Sequence, residues 1–260
     1  MRLEGTSAVV VGASAGLGYA TAASLSKRGA SVVIIARDEQ RGRQAAAAIG
    51  AVFVKGDVTD SVAIIEALDR ASEMAPLRSL VVTAGRGHAQ RTIGRDGRYE
   101  SAHGLEPLRE VLETNVVGTF NCVRLAATAM SRTEPDEHGQ RGSIVLTSSA
   151  AAKAAQVGQV AYAASKAAVL GMVLPIARDL APVGVRVNAI VPGGFDTDIF
   201  GPDGPPQALR ELVSGATVFP QRMGEPEEFA SVAIELLTND YLNATSIDLD
   251  AGTRVLPKKK

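Results

Sequence analysis

Tyr162 and Lys166 stand four residues apart in "AYAASKAAVLGMVLPIARDL", an alanine-rich run over residues 161–180. In a helix that spacing puts both on one face, a turn apart. A phenol beside an ammonium is a proton donor next to the charge that tunes it. The alternative is a surface pair, because an ammonium is costly to bury without partners. Two more polar residues favour the first reading. Ser149 ends the β-branched run "SIVLTSS", and a strand end can converge with the next helix start at the C-terminal edge of a sheet. Asn115 lies in "LREVLETNVVGTFN". Asparagine is a poor helix former, and in an apolar span its amide needs a partner, which local backbone could also supply.

A second constellation is the glycine loop "VVVGASAGLGYATAASLSKRGA", with Gly12, Gly16 and Gly18 between a strand and a helix. Glycine permits a tight turn and a close backbone approach to phosphate. The following helix offers unpaired N–H groups and the positive end of its dipole. At the head of the first strand–helix–strand unit this pattern points to a dinucleotide. The end of the second strand, "IIARDEQ", should select which one. A carboxylate there accepts from the adenosine ribose, whereas an arginine attracts a 2′-phosphate. Ala36 occupies the acidic place and Arg37 follows, which favours NADP(H) and leaves NAD(H) open. Asp38 reads as a helix cap. Asp57, in "KGDV", is either an acceptor for the adenine amino group or a turn residue.

These groups need a scaffold that gathers strand ends along one edge. "SAVVVGA", "SVVIIA", "AVFVKGDV", "SLVVTAG", "GSIVLTSS", "VRVNAIVPGG" and "ATSIDLDAG" read as seven strands without two-residue alternation, as in a sheet covered on both faces. Helices are expected at about 17–28, 38–49, 60–74, 105–131, 160–181 and 226–238. The alternation predicts an α/β fold with a doubly wound parallel sheet and right-handed crossovers. The chain has 260 residues, 46% of them hydrophobic, and no internal linker, so residues 1–260 read as a single domain. Residues 86–104 and 193–220 read as long loops at the ligand-binding edge.

Composition narrows the function. A net charge of −1 gives no broad basic field for nucleic acid or a membrane surface, and "PKKK" is too short to change that. Cys122 is the single cysteine, so an internal disulfide is excluded and a reducing, cytoplasmic setting is expected. "MRLEGTSAVVVG" shows no secretory pattern, and no uninterrupted apolar run approaches the ~20 residues of a membrane span. His88, His103 and His138 lack metal-ligand spacing. Arg91, Arg95 and Arg98 read either as a solvated loop or as cations for a CoA phosphate.

Together the motifs resemble the short-chain dehydrogenase/reductase family. They comprise the glycine loop, "GDV" at 56–58, "TAG" at 83–85, "NVVGTF" at 115–120, Ser149, Tyr162/Lys166 and "VPGGFDT" at 191–197. "QVGQVAYAASKAAVLGMVLPIARDLAP" and "FPQRMGEPEEFA" are similar to its type II 3-hydroxyacyl-CoA dehydrogenase branch, which also acts on hydroxysteroids. The resemblance implies a Rossmann fold with strand order 3-2-1-4-5-6-7. It implies a nicotinamide cofactor, a 3-hydroxyacyl or 3-ketoacyl thioester or lipid-like alcohol as substrate, and a homotetramer. By the same resemblance Tyr162 is the general acid/base, and Lys166 lowers its pKa and binds the nicotinamide ribose. Ser149 holds the substrate oxygen, Asn115 positions a water, and Gln156 is a substrate contact. Cofactor contacts are implied for Gly12, Ser14, Gly16, Leu17, Gly18, Arg37, Asp57, Val58, Ala84, Gly85, Pro192, Gly193, Phe195 and Thr197. Three positions depart from the family pattern. Val11 replaces a threonine, Val82-Thr83 replaces Asn-Asn and removes a strand-linking amide, and Ala36 replaces the aspartate of the acyl-CoA branch. NAD-dependent oxidation and a catalytically silent nucleotide-binding scaffold are the competing expectations.

Overall fold

The structure, a computed structural model, describes residues 1–197 and 204–253. Seven strands form one parallel sheet in the order β3-β2-β1-β4-β5-β6-β7. They are β1 (Ser7–Val11), β2 (Ser31–Ala36), β3 (Val52–Lys55), β4 (Leu77–Val82), β5 (Gly142–Thr147), β6 (Val185–Pro192) and β7 (Ser246–Leu249). β1, β4, β5 and β6 are buried along their whole length, which explains why their sequences lack alternation. The order reverses between β1 and β4, which opens a crevice at their C-terminal ends.

Helices cover both faces. α1 (Gly16–Lys27), α2 (Glu39–Ile49) and α8 (Pro226–Thr238) lie on one side. α3 (Ser61–Met74), α4 (Leu105–Leu112), α5 (Thr119–Ser131) and α6 (Val160–Leu180) lie on the other. Each side encloses its own apolar core. Val10, Ile34, Val81 and Phe229 belong to the first, and Val9, Leu80, Met130 and Leu146 to the second. Asp38 caps α2 by accepting from the Arg41 N–H, and Asp60 caps α3 through Val62 and Ala63.

Three expectations on local structure are corrected. The run 105–131 is not one regular helix, because a π-helical turn, Glu113–Gly118, separates α4 from α5. The segment 193–220 is not loop throughout: α7 (Gln207–Ser214) lies within it, and its residues 198–203 fall outside the described residues. The third strand ends at Lys55, so Asp57 lies beyond it in a turn. The helical run Val160–Val183 is long and apolar enough to cross a membrane by length and composition. In this fold it packs on the sheet and carries a buried cation, Lys166.

Candidate active site

The glycine loop shows why its residue types are needed. Gly12 has φ +86°, and a Cβ there would lie 2.6 Å from the Ala84 nitrogen. At Gly18 a Cβ would lie 2.4 Å from the Gly12 oxygen. The turn can therefore press against β4 only without side chains. Ala15 precedes α1 and gives no side-chain cap, and the first turn of α1 holds no acidic residue. Its free N–H groups are left for an anion.

Beside this loop the strand-linking amide is absent, and a hydroxyl takes over the link. The Thr83 hydroxyl donates to the Val11 oxygen at 2.9 Å, so it joins β4 to β1 in place of the missing amide.

A cleft of about 1260 Å³ runs along the C-terminal edge of the sheet. The expected cofactor and substrate residues all line it, from Gly12 at one wall to Thr197 and Gln156 at the others. At the adenosine end Ala36 offers no carboxylate. Asp38 is engaged at the α2 cap, its carboxylate accepting from the Arg41 N–H at 3.0 Å. Asp57 accepts from the Thr59 N–H and hydroxyl, as a turn aspartate does, and its other oxygen lies 3.8 Å from Arg37 Nε. The Arg37 side chain is largely exposed at the rim.

At the opposite end Tyr162, Lys166 and Ser149 meet. The first two turns of α6 direct Tyr162 and Lys166 to the same wall, with Lys166 Nζ 5.8 Å from the centre of the phenol ring. The ammonium donates to the Thr147 carbonyl at 2.9 Å, so its charge is buried with a partner. Ser149 follows β5 and accepts from the Ala151 N–H. Its hydroxyl also lies close enough to the Tyr162 phenol to favour the phenolate. Burial raises the Tyr162 pKa above its ordinary value, and the nearby Ser149 hydroxyl opposes the rise. Burial pushes Lys166 down to about 8. The expected lowering of Tyr162 by Lys166 is thus corrected for the protein alone. Desolvation outweighs an ammonium that is turned toward a backbone carbonyl.

Asn115 lies behind the cleft wall, fully buried in the π-helical turn. Its oxygen accepts from the Arg86 N–H at 2.8 Å, and its amide donates to the Arg86 oxygen and to Ser165 Oγ, both at 2.9 Å. The side-chain amide is thus engaged by protein groups on both its oxygen and its nitrogen. Ser165 and Arg86 are site residues the sequence reading missed. A buried serine inside an apolar helical run was the available signal for Ser165. Among the described residues no cluster of three or more His, Cys, Asp and Glu could hold a metal ion.

A family model described as short chain dehydrogenase matches residues 6–207. The chain belongs to the short-chain dehydrogenase family. It is 41% identical over 252 residues to 3-hydroxyacyl-CoA dehydrogenase type-2 of Drosophila melanogaster, covering 96% of this chain and 97% of that relative. The Homo sapiens protein of the same name is 39% identical over 258 residues, covering 98% and 97%. The crystal structure of 3-hydroxyacyl-CoA dehydrogenase type-2 from Mycobacterium avium aligns with a TM-score of 0.92 at 37% identity, covering 99% of this chain and 100% of that one. As a short-chain dehydrogenase, the chain is an NAD(P)-dependent oxidoreductase acting on CH–OH donors.

The site fits such a cofactor on its own geometry. The loop at Gly12 and Gly18 is bare where a phosphate must approach, the start of α1 is uncapped, and the cleft is long enough for a dinucleotide and a substrate together.

Proposed function

We propose that this short-chain dehydrogenase interconverts a ketone and a secondary alcohol on a 3-ketoacyl/3-hydroxyacyl thioester or a lipid-like substrate, with NADP(H) preferred to NAD(H). The observation that carries this reading is the meeting of Ser149, Tyr162 and Lys166 at one wall of the cleft. The names of the relatives support the acyl thioester.

When bound, the nicotinamide cofactor supplies or accepts the hydride. The chain's residues handle the oxygen and its proton. Ser149 holds the substrate oxygen by a hydrogen bond that strengthens as negative charge builds there. Tyr162 Oη gives that oxygen its proton in reduction and takes it back in oxidation. A phenol raised by burial is protonated at neutral pH, which suits reduction. Lys166 would hold the nicotinamide ribose, and a polyol beside it would add acceptors for its ammonium. The N–H groups at the start of α1 would hold the diphosphate. Residues Pro192 to Thr197 would orient the carboxamide. Asn115 acts through the main chain of Arg86.

The preference for NADP(H) is supported by Ala36, by the capping role of Asp38 and by the exposed Arg37. The pairing of Arg37 with Asp57 favours the second reading, an NAD-dependent dehydrogenase, because it offsets part of the arginine's charge. We further read the chain as a homotetramer, supported by the exposed apolar residues of α5 and α6.

Tyr162→Phe tests the chemistry. Turnover of acetoacetyl-CoA should fall by about 10²-fold or more, the scale of a lost general acid. The Kd for the dinucleotide should stay within about twofold; an unaffected rate would remove Tyr162 as the acid. Titrating the same protein with NADPH and NADH decides the cofactor, since equal Kd values would end the NADP(H) preference.

A further inference from the structure

Ser165 touches neither the cleft nor solvent, yet it sits where α6, the π-helical turn and the segment after β4 meet. It is fully buried on α6. Its hydroxyl donates to the Tyr162 main-chain oxygen at 2.7 Å and accepts from Asn115 Nδ2 at 2.9 Å. The other two bonds of the Asn115 amide grip Arg86 at both its N–H and its carbonyl. A continuous chain of bonds thus runs from the cleft-lining segment after β4, through the π-helical turn, to the helical turn that holds Tyr162. The junction is close-packed. A Cβ on Gly85 would lie 3.2 Å from Lys166 Nζ and 3.3 Å from Asn115 Oδ1.

We infer that Ser165 is a positioning residue for the hydride-transfer reaction, tying the Tyr162 turn of α6 to Asn115 and through it to the Arg86 segment. A mid-helix serine is a poorer helix former than alanine. Its back-bond to a carbonyl one turn earlier is of the kind that competes with regular helix rather than supports it. What the hydroxyl provides is registration between two elements. An error of about 1 Å at a reacting group costs up to 10²-fold in rate.

The inference rests on Tyr162 as the general acid, so Tyr162→Phe is measured alongside. Ser165→Ala should leave the KM for acetoacetyl-CoA and the dinucleotide Kd near wild type, and should lower the unfolding midpoint only by the cost of one buried amide N–H left without its acceptor, with kcat taken per folded enzyme. Its kcat should fall about tenfold, roughly 1.4 kcal/mol of lost transition-state placement. Ser165→Thr keeps a hydroxyl that can bond the same carbonyl and should recover kcat to within about threefold. In an Asn115→Ala background, Ser165→Ala should lower kcat by less than about twofold further, because the two act through one bond. An unchanged kcat in Ser165→Ala, an equal loss in the Thr variant, or full additivity with Asn115→Ala overturns the inference. Those results leave the chemistry intact if Tyr162→Phe is inactive. An active Tyr162→Phe overturns the assignment of the acid instead.

Discussion

Burial acts in opposite senses on the two titratable groups of the α6 turn, raising the Tyr162 pKa and lowering that of Lys166 to about 8. In both cases it favours the neutral form. For Lys166 this has a consequence for stability. Between pH about 8 and about 10.4 the unfolded chain holds a proton on this lysine that the folded protein has lost. The unfolded state binds more protons there, so stability of the cofactor-free protein should rise with pH across that window. Below pH about 8 the lysine is protonated in both states and the slope vanishes, while the penalty for burying its charge is fully present. Tyr162 acts the other way only above pH about 10, where the unfolded phenol ionises first. Urea unfolding of wild type and Lys166→Met at pH 7.5 to 9.5 isolates the lysine. The wild-type stability should gain on the variant as pH rises, and parallel curves would show that its pKa is not depressed.

At the scale of elements, a buried cation from β6 ties down the C-terminal end of α8. The Arg186 guanidinium donates to the oxygens of Leu236, Leu237 and Leu242 and to Gln140 Oε1. These include carbonyls that the helix end leaves unpaired. Arg186→Met should cost about 2 kcal/mol or more, because the methionine fills space but removes the donor to Leu237 O and Gln140 Oε1, while Leu236 O and Leu242 O keep Ser143 and Asn188. A urea unfolding curve reads the loss, and kcat per folded enzyme should not change, since Arg186 lies at the edge of the sheet remote from the cleft. Much of this level was legible in the chain. The β-branched runs marked all seven strands, and the alanine- and leucine-rich runs placed most helix ends within a residue or two. The π-helical turn was not legible. An added residue in a helix leaves no local composition signal, and only the odd placement of Asn115 hinted at it. α7 was hidden because "GPDGPP" precedes a helix of just eight residues. Thr83 as a strand link was missed for a different reason. A hydroxyl can replace an amide only if the geometry brings it to the carbonyl, and a pattern of residue types does not contain that distance.

At the scale of the whole molecule, residues separated by most of the chain form one site because every parallel strand ends at the same edge. Gly12, Gly85, Ser149 and Pro192 each follow or end a different strand of the four central ones. This architecture leaves the helices outside the sheet, and two of them still present apolar groups to water. Val117, in the π-helical turn, and Phe120, at the start of α5, are 50% and 46% exposed, and Val160 and Leu174 on α6 are 49% and 45% exposed. Single exposed apolar residues need no explanation, but a set on adjacent helices of one face marks a contact surface. The occupant we propose is a second copy of this chain, repeated to a homotetramer. Phe120→Glu tests it. If the face is free in solution, the charge is solvated and the mass by light scattering is that of the wild type. If copies meet there, an unpaired carboxylate is buried at the contact and the assembly should fall apart to smaller species. The cleft opens at the strand ends while this face lies on the flank, so dinucleotide Kd should remain within about threefold of wild type. A wild-type mass equal to one chain would remove the tetramer altogether.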